Sequence, residues 1–289
     1  MESGDLQRLY ALHPSGAERI HLDPIPDPFY SLYKRVEPGI YEAARTYGKG
    51  RIFAYEAHER RLENGIAAMG YEPALTDMEL RQALQQAMDD FPVSPIKLRW
   101  DLGPKPFTEI GTDARMIATL VPRPVLPDWV YEDGVTLSLN TDLRRLTPVT
   151  KGAAFAIERN RVPYGTRDHY EPVMVDEKGY LLEGVMSNFG ALIGNRLHTN
   201  PEGVLPGVTI RTIMQLARKS GLEVVREPIH RDQLADLDEA FLCSAVRGIV
   251  SAVRIDGQVI GAGLPGPRVQ ALAAAYSEYA DSHAQRVYP

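Results

Sequence analysis

A mixed α/β (α+β) protein of two domains is the fold class this sequence predicts, on three observations. Short apolar stretches of strand length recur along the chain between turn signals, with amphipathic helical stretches interspersed. Val121-Pro122-Arg123-Pro124-Val125-Leu126-Pro127-Asp128 places three prolines in eight residues and forms a stiff connection. The 289 residues suffice for two modest domains, each with a core. The expected division is a smaller N-terminal α/β domain over 1–121, a Pro-rich linker over 122–128 and a larger C-terminal mixed-sheet domain over 129–289.

The elements follow in order. Residues 1–35 are weakly patterned, and Pro24, Pro26 and Pro28 break any helix there. Gly39 to Tyr47 fits a strand, Gly48-Lys49-Gly50 a turn, and Ile52-Phe53-Ala54-Tyr55 a second strand, which together read as a hairpin. Residues 56–69 read as a helix with His58, Leu62, Ile66 and Met69 on one face. A second helix is expected over Asp77–Asp89, and strands over Ile96–Asp101 and Arg115–Val121. Beyond the linker, Val135–Asn140 is a strand and Ala153–Asn160 is helical. Pro172–Val175 and Tyr180–Leu182 flank an Asp-Glu-Lys-Gly turn, and Ala191–Ile193 and Leu197–Thr199 flank a Gly-Asn-Arg turn. Thr209–Lys219 is an amphipathic helix ended by Gly221. Val224–Pro228, Ala240–Ser244 and Val250–Ile255 are strands, and Asp256-Gly257 is a type I′ hairpin signal before Val259-Ile260. Pro267–His283 closes the chain as a helix.

Composition narrows the function classes. Hydrophobic content of 44% and charged content of 24% are those of an ordinary soluble protein. A net charge of -6 gives no electrostatic footprint for nucleic acid. No apolar run approaches the roughly 18–20 residues that span a bilayer. The start, Met1-Glu2-Ser3-Gly4-Asp5, is acidic and polar and is not a signal peptide, so a cytoplasmic location is expected. The single cysteine, Cys243, lies in an apolar stretch and is expected to be a buried core thiol. The seven histidines show no metal-ligand spacing. Gly261 to Gly266 matches a dinucleotide fingerprint as a bare pattern, but no strand completes a βαβ unit after it.

Four features can carry chemistry, and each also has a plainer reading. Pro206-Gly207-Val208-Thr209 runs into a helix whose first N–H groups lack internal partners, a place for phosphate or carboxylate; otherwise Thr209 is a simple N-cap. Arg61 lies beside an apolar helix stripe and either needs an anion or snorkels at the stripe's edge. Lys151, between Pro148 and Ala153-Ala154-Phe155-Ala156-Ile157, is either a desolvated nucleophilic amine or a solvated lysine at a helix start. Glu183 closes a strand and is either a site carboxylate or an edge residue facing water.

In this order the segments resemble the class IV aminotransferases, the fold type IV pyridoxal 5′-phosphate (PLP) enzymes, from about Gly39 to Gly266. Gly39-Ile40-Tyr41-Glu42 is similar to that family's Gly-Val-Phe/Tyr-Glu strand. His58-Glu59-Arg60-Arg61-Leu62 is similar to its His-x-x-Arg-Leu helix, and Leu205-Pro206-Gly207-Val208-Thr209 to its Leu-Pro-Gly-Ile-Thr phosphate loop. The resemblance implies PLP as cofactor, with Lys151 as Schiff-base lysine and proton-transfer base. It implies Glu183 on the pyridine nitrogen, followed by Ser187-Asn188. Arg61, Gly207, Val208, Thr209 and Ser244 then hold the phosphate. Tyr41 lines the substrate pocket in this reading, or is a core aromatic. The expected reaction moves an amino group from an amino acid or primary amine to a 2-oxo acid, in a homodimer, with no metal, nucleic-acid or membrane partner.

The departures bear on substrate. An asparagine frequent three residues after the lysine is Ala154, and the tyrosine of branched-chain enzymes is Ala156. Ser244 is followed by Ala245, so its hydroxyl acts alone. The D-amino-acid enzymes' Arg-x-His motif is absent around Gly103-Pro104-Lys105-Pro106. Arg99, Lys105 or Arg247 is left for a substrate carboxylate, with Ala245 beside them. A 4-amino-4-deoxychorismate lyase, an (R)-selective amine transaminase and a non-catalytic binding protein of the same fold remain as other readings. Replacing Glu183 by Gln is expected to leave PLP bound and slow proton transfer.

Overall fold

The computed structural model describes residues 6–22, 29 and 31–289; Met1 to Asp5 and Pro24, Pro26 and Pro28 lie outside the described residues. Down the chain run β1 (Arg8–His13), β2 (Gly16–Ile20), β3 (Ile40–Arg45), β4 (Arg51–Ile52), α1 (Tyr55–Met69), α2 (Asp77–Asp90), β5 (Ile96–Leu102) and β6 (Met116–Pro122). There follow α3 (Trp129–Glu132), β7 (Val135–Asn140), α4 (Ala153–Arg159), β8 (Glu171–Val175), β9 (Leu181–Gly184), β10 (Asn188–Ile193) and β11 (Arg196–Thr199). The chain ends through α5 (Val208–Lys219), β12 (Glu223–Val225), β13 (Glu239–Ser244), β14 (Gly248–Ile255), β15 (Gln258–Val259), α6 (Pro267–Ser282) and β16 (Gln285–Arg286). No described helix is long and apolar enough to cross a membrane.

The chain forms two compact units, one of Met1–Pro124, Val149–Asn160 and Ala280–Pro289, the other of Val125–Pro148 and Arg161–Tyr279. Residues 149–160 and 280–289 thus belong with the N-terminal part, unlike the linear division at 122–128. Backbone hydrogen bonds explain both. Tyr41 N–H donates to the Lys151 carbonyl at 2.9 Å and Ala153 N–H to that of Gly39 at 2.8 Å. At the other end, β16 pairs antiparallel with β4.

The first unit holds an antiparallel sheet in the order β2-β1-β6-β5-β3. Alternate residues sort to its two faces. Tyr10, Leu12, Ile40, Ala44, Leu98, Trp100, Leu102 and Ala118 pack on Leu62 of α1 and Leu80, Leu84 and Met88 of α2. Leu9 and Ile117 face the other side with Leu32, Val36, Phe107 and Ile110. Thr76 caps α2 through a reciprocal box with Glu79.

Two expectations fail here. The β1–β2 hairpin forms where no strand was expected, because Leu9 to Leu12 are all buried and show no period of two. Phe53 to Tyr55 is not a strand: Ala54 adopts a left-handed φ of 52° and turns the chain into α1.

In the second unit the order is β12-β11-β10-β13-β14-β7-β8-β9, and β9 pairs again with β10. The last pairing closes six strands, β10-β13-β14-β7-β8-β9, into a ring. Glu183 and Asn188 are the Cα partners at that closure. One apolar cluster, including Val135, Leu137, Val173, Leu181, Phe189, Leu242 and Val250, fills this unit. Asp256 and Gly257, at φ 49° and 85°, make the type I′ turn expected before β15.

Candidate active site

In the first unit the chemistry gathers along β3, an edge strand. Its open edge pairs with the 150–153 segment through the Ile40–Gly152 bridge, so the backbone groups of an unpaired edge are spent on holding Lys151. The Lys151 ammonium lies 5.2 Å from the centre of the Tyr41 ring. Tyr41 is buried and packs on Ala153 and Ala156 of α4, so the small residues at that face of α4 accommodate its ring.

The next residue, Glu42, points to the opposite face and meets α1. Arg61 binds it bidentately, Nε to Oε1 at 2.7 Å and a terminal nitrogen to Oε2 at 2.6 Å. His58 Nδ1 adds a contact to Oε2 at 2.9 Å. All three side chains are buried. Burial alone would raise the Glu42 carboxyl, but Arg61 chiefly, and His58, outweigh it and hold it at about 2. Burial pushes His58 below the ordinary histidine value, against its hydrogen bond to Glu42. Arg61 is therefore a fixed cation rather than a mobile surface side chain.

In the second unit the centre is Glu183, 2% exposed. Arg145 Nε donates to Oε1 at 2.9 Å. Asn188 Nδ2 and the Leu205 backbone N–H both donate to Oε2, each at 3.1 Å. The Asn188 amide also donates to the Leu205 carbonyl at 2.9 Å, linking strand β10 to the loop before α5. That loop ends at Gly207, the N-cap of α5, which provides no side-chain cap. A Cβ there would sit 1.8 Å from Asn188 Oδ1, so only glycine fits. The first N–H groups of α5 lie at the positive end of a twelve-residue helix, with no side chain at the N-cap to take them. Thr209 Oγ1 lies 3.4 Å from the buried Tyr276 hydroxyl of α6.

The remaining predicted residues are distributed as follows. Ser187 Oγ donates to Glu171 Oε1 at 2.7 Å. Glu171, fully buried, also lies 2.7 Å from the Arg247 guanidinium, and Arg247 reaches the Tyr170 hydroxyl at 3.3 Å. Ser244 Oγ accepts from Arg247 Nε at 3.4 Å, and Ala245 lies half-buried in the turn from β13 to β14. In the first unit Arg99 stacks at 3.7 Å on the Tyr41 ring and binds Asp101 bidentately at 2.7 and 3.0 Å. Burial pushes the Asp101 carboxyl up to about 6 despite Arg99. Lys105 is exposed and pairs with Glu109 at 3.0 Å. Arg99 and Arg247 are thus each held by an acid of their own unit. Sequence reasoning gave no role to Arg145, Glu171 or Asp101; Arg145 lies in an irregular loop with no periodic signal to mark it. Burial of Cys243 is as expected and pushes its thiol up.

With this geometry in place, the comparisons define the class. Residues 39–255 match the model of the amino-transferase class IV family, and the chain belongs to that family. It is a PLP-dependent transaminase of fold type IV. It is 26% identical to a D-alanine aminotransferase of Bacillus licheniformis over 79% of this chain and 83% of that one. Its fold matches the branched-chain amino acid aminotransferase of Escherichia coli with a TM-score of 0.77, at 18% identity over 98% and 99% of the chains. It also matches a hypothetical aminotransferase of Mycobacterium tuberculosis in its α-ketoglutarate- and PMP-bound form. There the TM-score is 0.76, at 18% identity over 95% and 99% of the chains.

The residues present fit such a cofactor in each unit separately. The second offers an anion cradle at α5, where Gly207 leaves no room for a side chain, and a buried carboxylate met only by donors. The first offers a lysine on a fixed backbone and a buried arginine.

Proposed function

We propose that this transaminase moves the amino group between an amino acid and a 2-oxo acid, with Lys151 as the amine that carries the cofactor and Glu183 as the partner of its ring nitrogen. The observation that carries the reading is the donor set of Glu183. A buried carboxylate approached by a guanidinium, an amide and a backbone N–H is fixed in place by donors alone and is suited to hold a protonated nitrogen. PLP, when bound, supplies an electron sink for charge developing at the substrate carbon. The chain does the rest. Within the second unit the Val208 and Thr209 N–H groups, the Thr209 hydroxyl and Ser244 would hold the phosphate, and Arg61 is the first unit's candidate for the same role. Lys151, once its amine is released, would be the base that moves the proton between the substrate carbon and C4′ of the cofactor. Tyr41 forms a wall of the substrate pocket.

The family expectation supports a homodimer, and light scattering of the purified protein tests it.

The test is a half-reaction screen following the cofactor absorption band with L-amino acids, D-amino acids and amines lacking a carboxylate. Conversion by amino acids, reversed by a 2-oxo acid, is the expected result. Turnover of aminodeoxychorismate without any oxo acid would favour the lyase reading, and conversion by non-carboxylate amines alone would replace the substrate class. Lys151→Ala is expected to lower transamination at least about a thousandfold with unchanged circular dichroism. Unchanged turnover would remove Lys151 from its role.

A further inference from the structure

We propose that Arg145 is a positioning residue for the cofactor's ring nitrogen, orienting the Glu183 carboxylate so that one acceptor site on Oε1 is left for that nitrogen. This rests on the reading of Glu183 given above.

An ionised carboxylate has about four acceptor sites, two on each oxygen. Oε2 takes the Asn188 amide and the Leu205 N–H, which fills it. Oε1 takes Arg145 Nε at 2.9 Å. One site remains, and it is on Oε1. The two ties on Oε2 leave the group able to pivot about that oxygen. Arg145 removes this freedom: it is the tie on the second oxygen, its side chain is 6% exposed, and Nε is the least mobile donor of a guanidinium. The charge also matters. Glu183 is buried and its other two partners are neutral, so Arg145 is the cation that offsets the loss of hydration of the carboxylate. Arg145 therefore acts through Glu183.

The experiment measures the PLP dissociation constant and the position of the bound-cofactor band for the wild type, R145M, R145K, E183A and R145M/E183A. Neither readout needs turnover. R145M is expected to weaken PLP about tenfold to a hundredfold and shift the band, while R145K restores most of the affinity. In the E183A background the R145M change is expected to have no further effect on PLP affinity, because the carboxylate that it orients is already gone. R145Q gives the same comparison should R145M not fold. Losses that add in the double variant, or an R145M protein that binds PLP as tightly as the wild type, would overturn the proposal. Tighter binding by R145M would also overturn it, since the guanidinium would then be competing with the ring for the carboxylate. An E183A protein with unchanged affinity and band would instead sink the reading of Glu183 itself, so the two failures are distinct.

Discussion

Glu42 and Glu183 are both buried acids, and each is held by an arginine, but they are read differently from sequence and carry different predictions. Glu42 follows Tyr41 in a strand, so the period of two sends the two side chains to opposite faces: Tyr41 toward Lys151, Glu42 toward Arg61. With its carboxyl held at about 2 against an ordinary 4.5, Glu42 adds stability that is complete above pH 4.5. As pH falls from 4.5 toward 2 the unfolded chain takes up the proton first, and that contribution of about 3 kcal/mol is lost. Glu42→Gln leaves Arg61 buried without its counter-charge. It is expected to cost about 3–5 kcal/mol at neutral pH and to flatten the acid limb; urea unfolding midpoints between pH 2 and 7 check this, and a midpoint equal to wild type at pH 7 would refute it. For Glu183 the structure alters the expectation. All three of its neighbours are donors, so the amide of Glu183→Gln must point an N–H at one of them. PLP affinity is therefore expected to fall about tenfold rather than persist, as an equilibrium titration will show. Lys151 and Glu183 were legible as ordered motif positions. Arg145 was not, because only the folded loop brings it to Glu183.

Elements were legible where local rules set them. The Thr76–Glu79 box starts α2, and Asp256-Gly257 turns β14 into β15, both from side-chain and φ preferences that need no distant partner. They were illegible where both faces of a strand are covered, as at Leu9 to Leu12, or where one residue breaks a pattern, as Ala54 does before α1. The loop into α5 shows what a local motif leaves open. Pro206-Gly207 announces a helix start, but the reason for glycine is Asn188, nineteen positions upstream (207 − 188). Gly207→Ala is expected to displace Asn188, disturb its bonds to Glu183 and Leu205, and weaken PLP or inorganic phosphate binding about tenfold, with far-UV circular dichroism unchanged. Equal phosphate affinity in variant and wild type would show that the cradle tolerates the methyl group.

At the scale of the whole chain, covalent order and spatial grouping part company. The last residues return to the first unit: β16 pairs with β4, Arg286 bonds Asp89 at 2.7 Å, Val287 N–H donates to Gln85 at 3.0 Å, and the Val287 side chain joins the core. Removing residues 285–289 is expected to destabilise that unit by about 2 kcal/mol and lower its Tm by several degrees. Calorimetry would reveal it, and an unchanged transition would mean that the tail is dispensable.

By itself the sequence determined the class of the protein. Ordered motifs around Glu42, Arg61, Lys151, Glu183 and Pro206-Gly207 fix the family, and local propensity fixes most helices and strands. Tertiary structure alone decided how those residues are held: that 149–160 pairs along β3, that β9 closes on β10 at Glu183 and Asn188, and that Arg145 orients a carboxylate. The physical reason is range. Caps, turns and periodicity act within a few residues, whereas edge pairing, ring closure and buried ion pairs join residues far apart in the chain, whose energies no local pattern records.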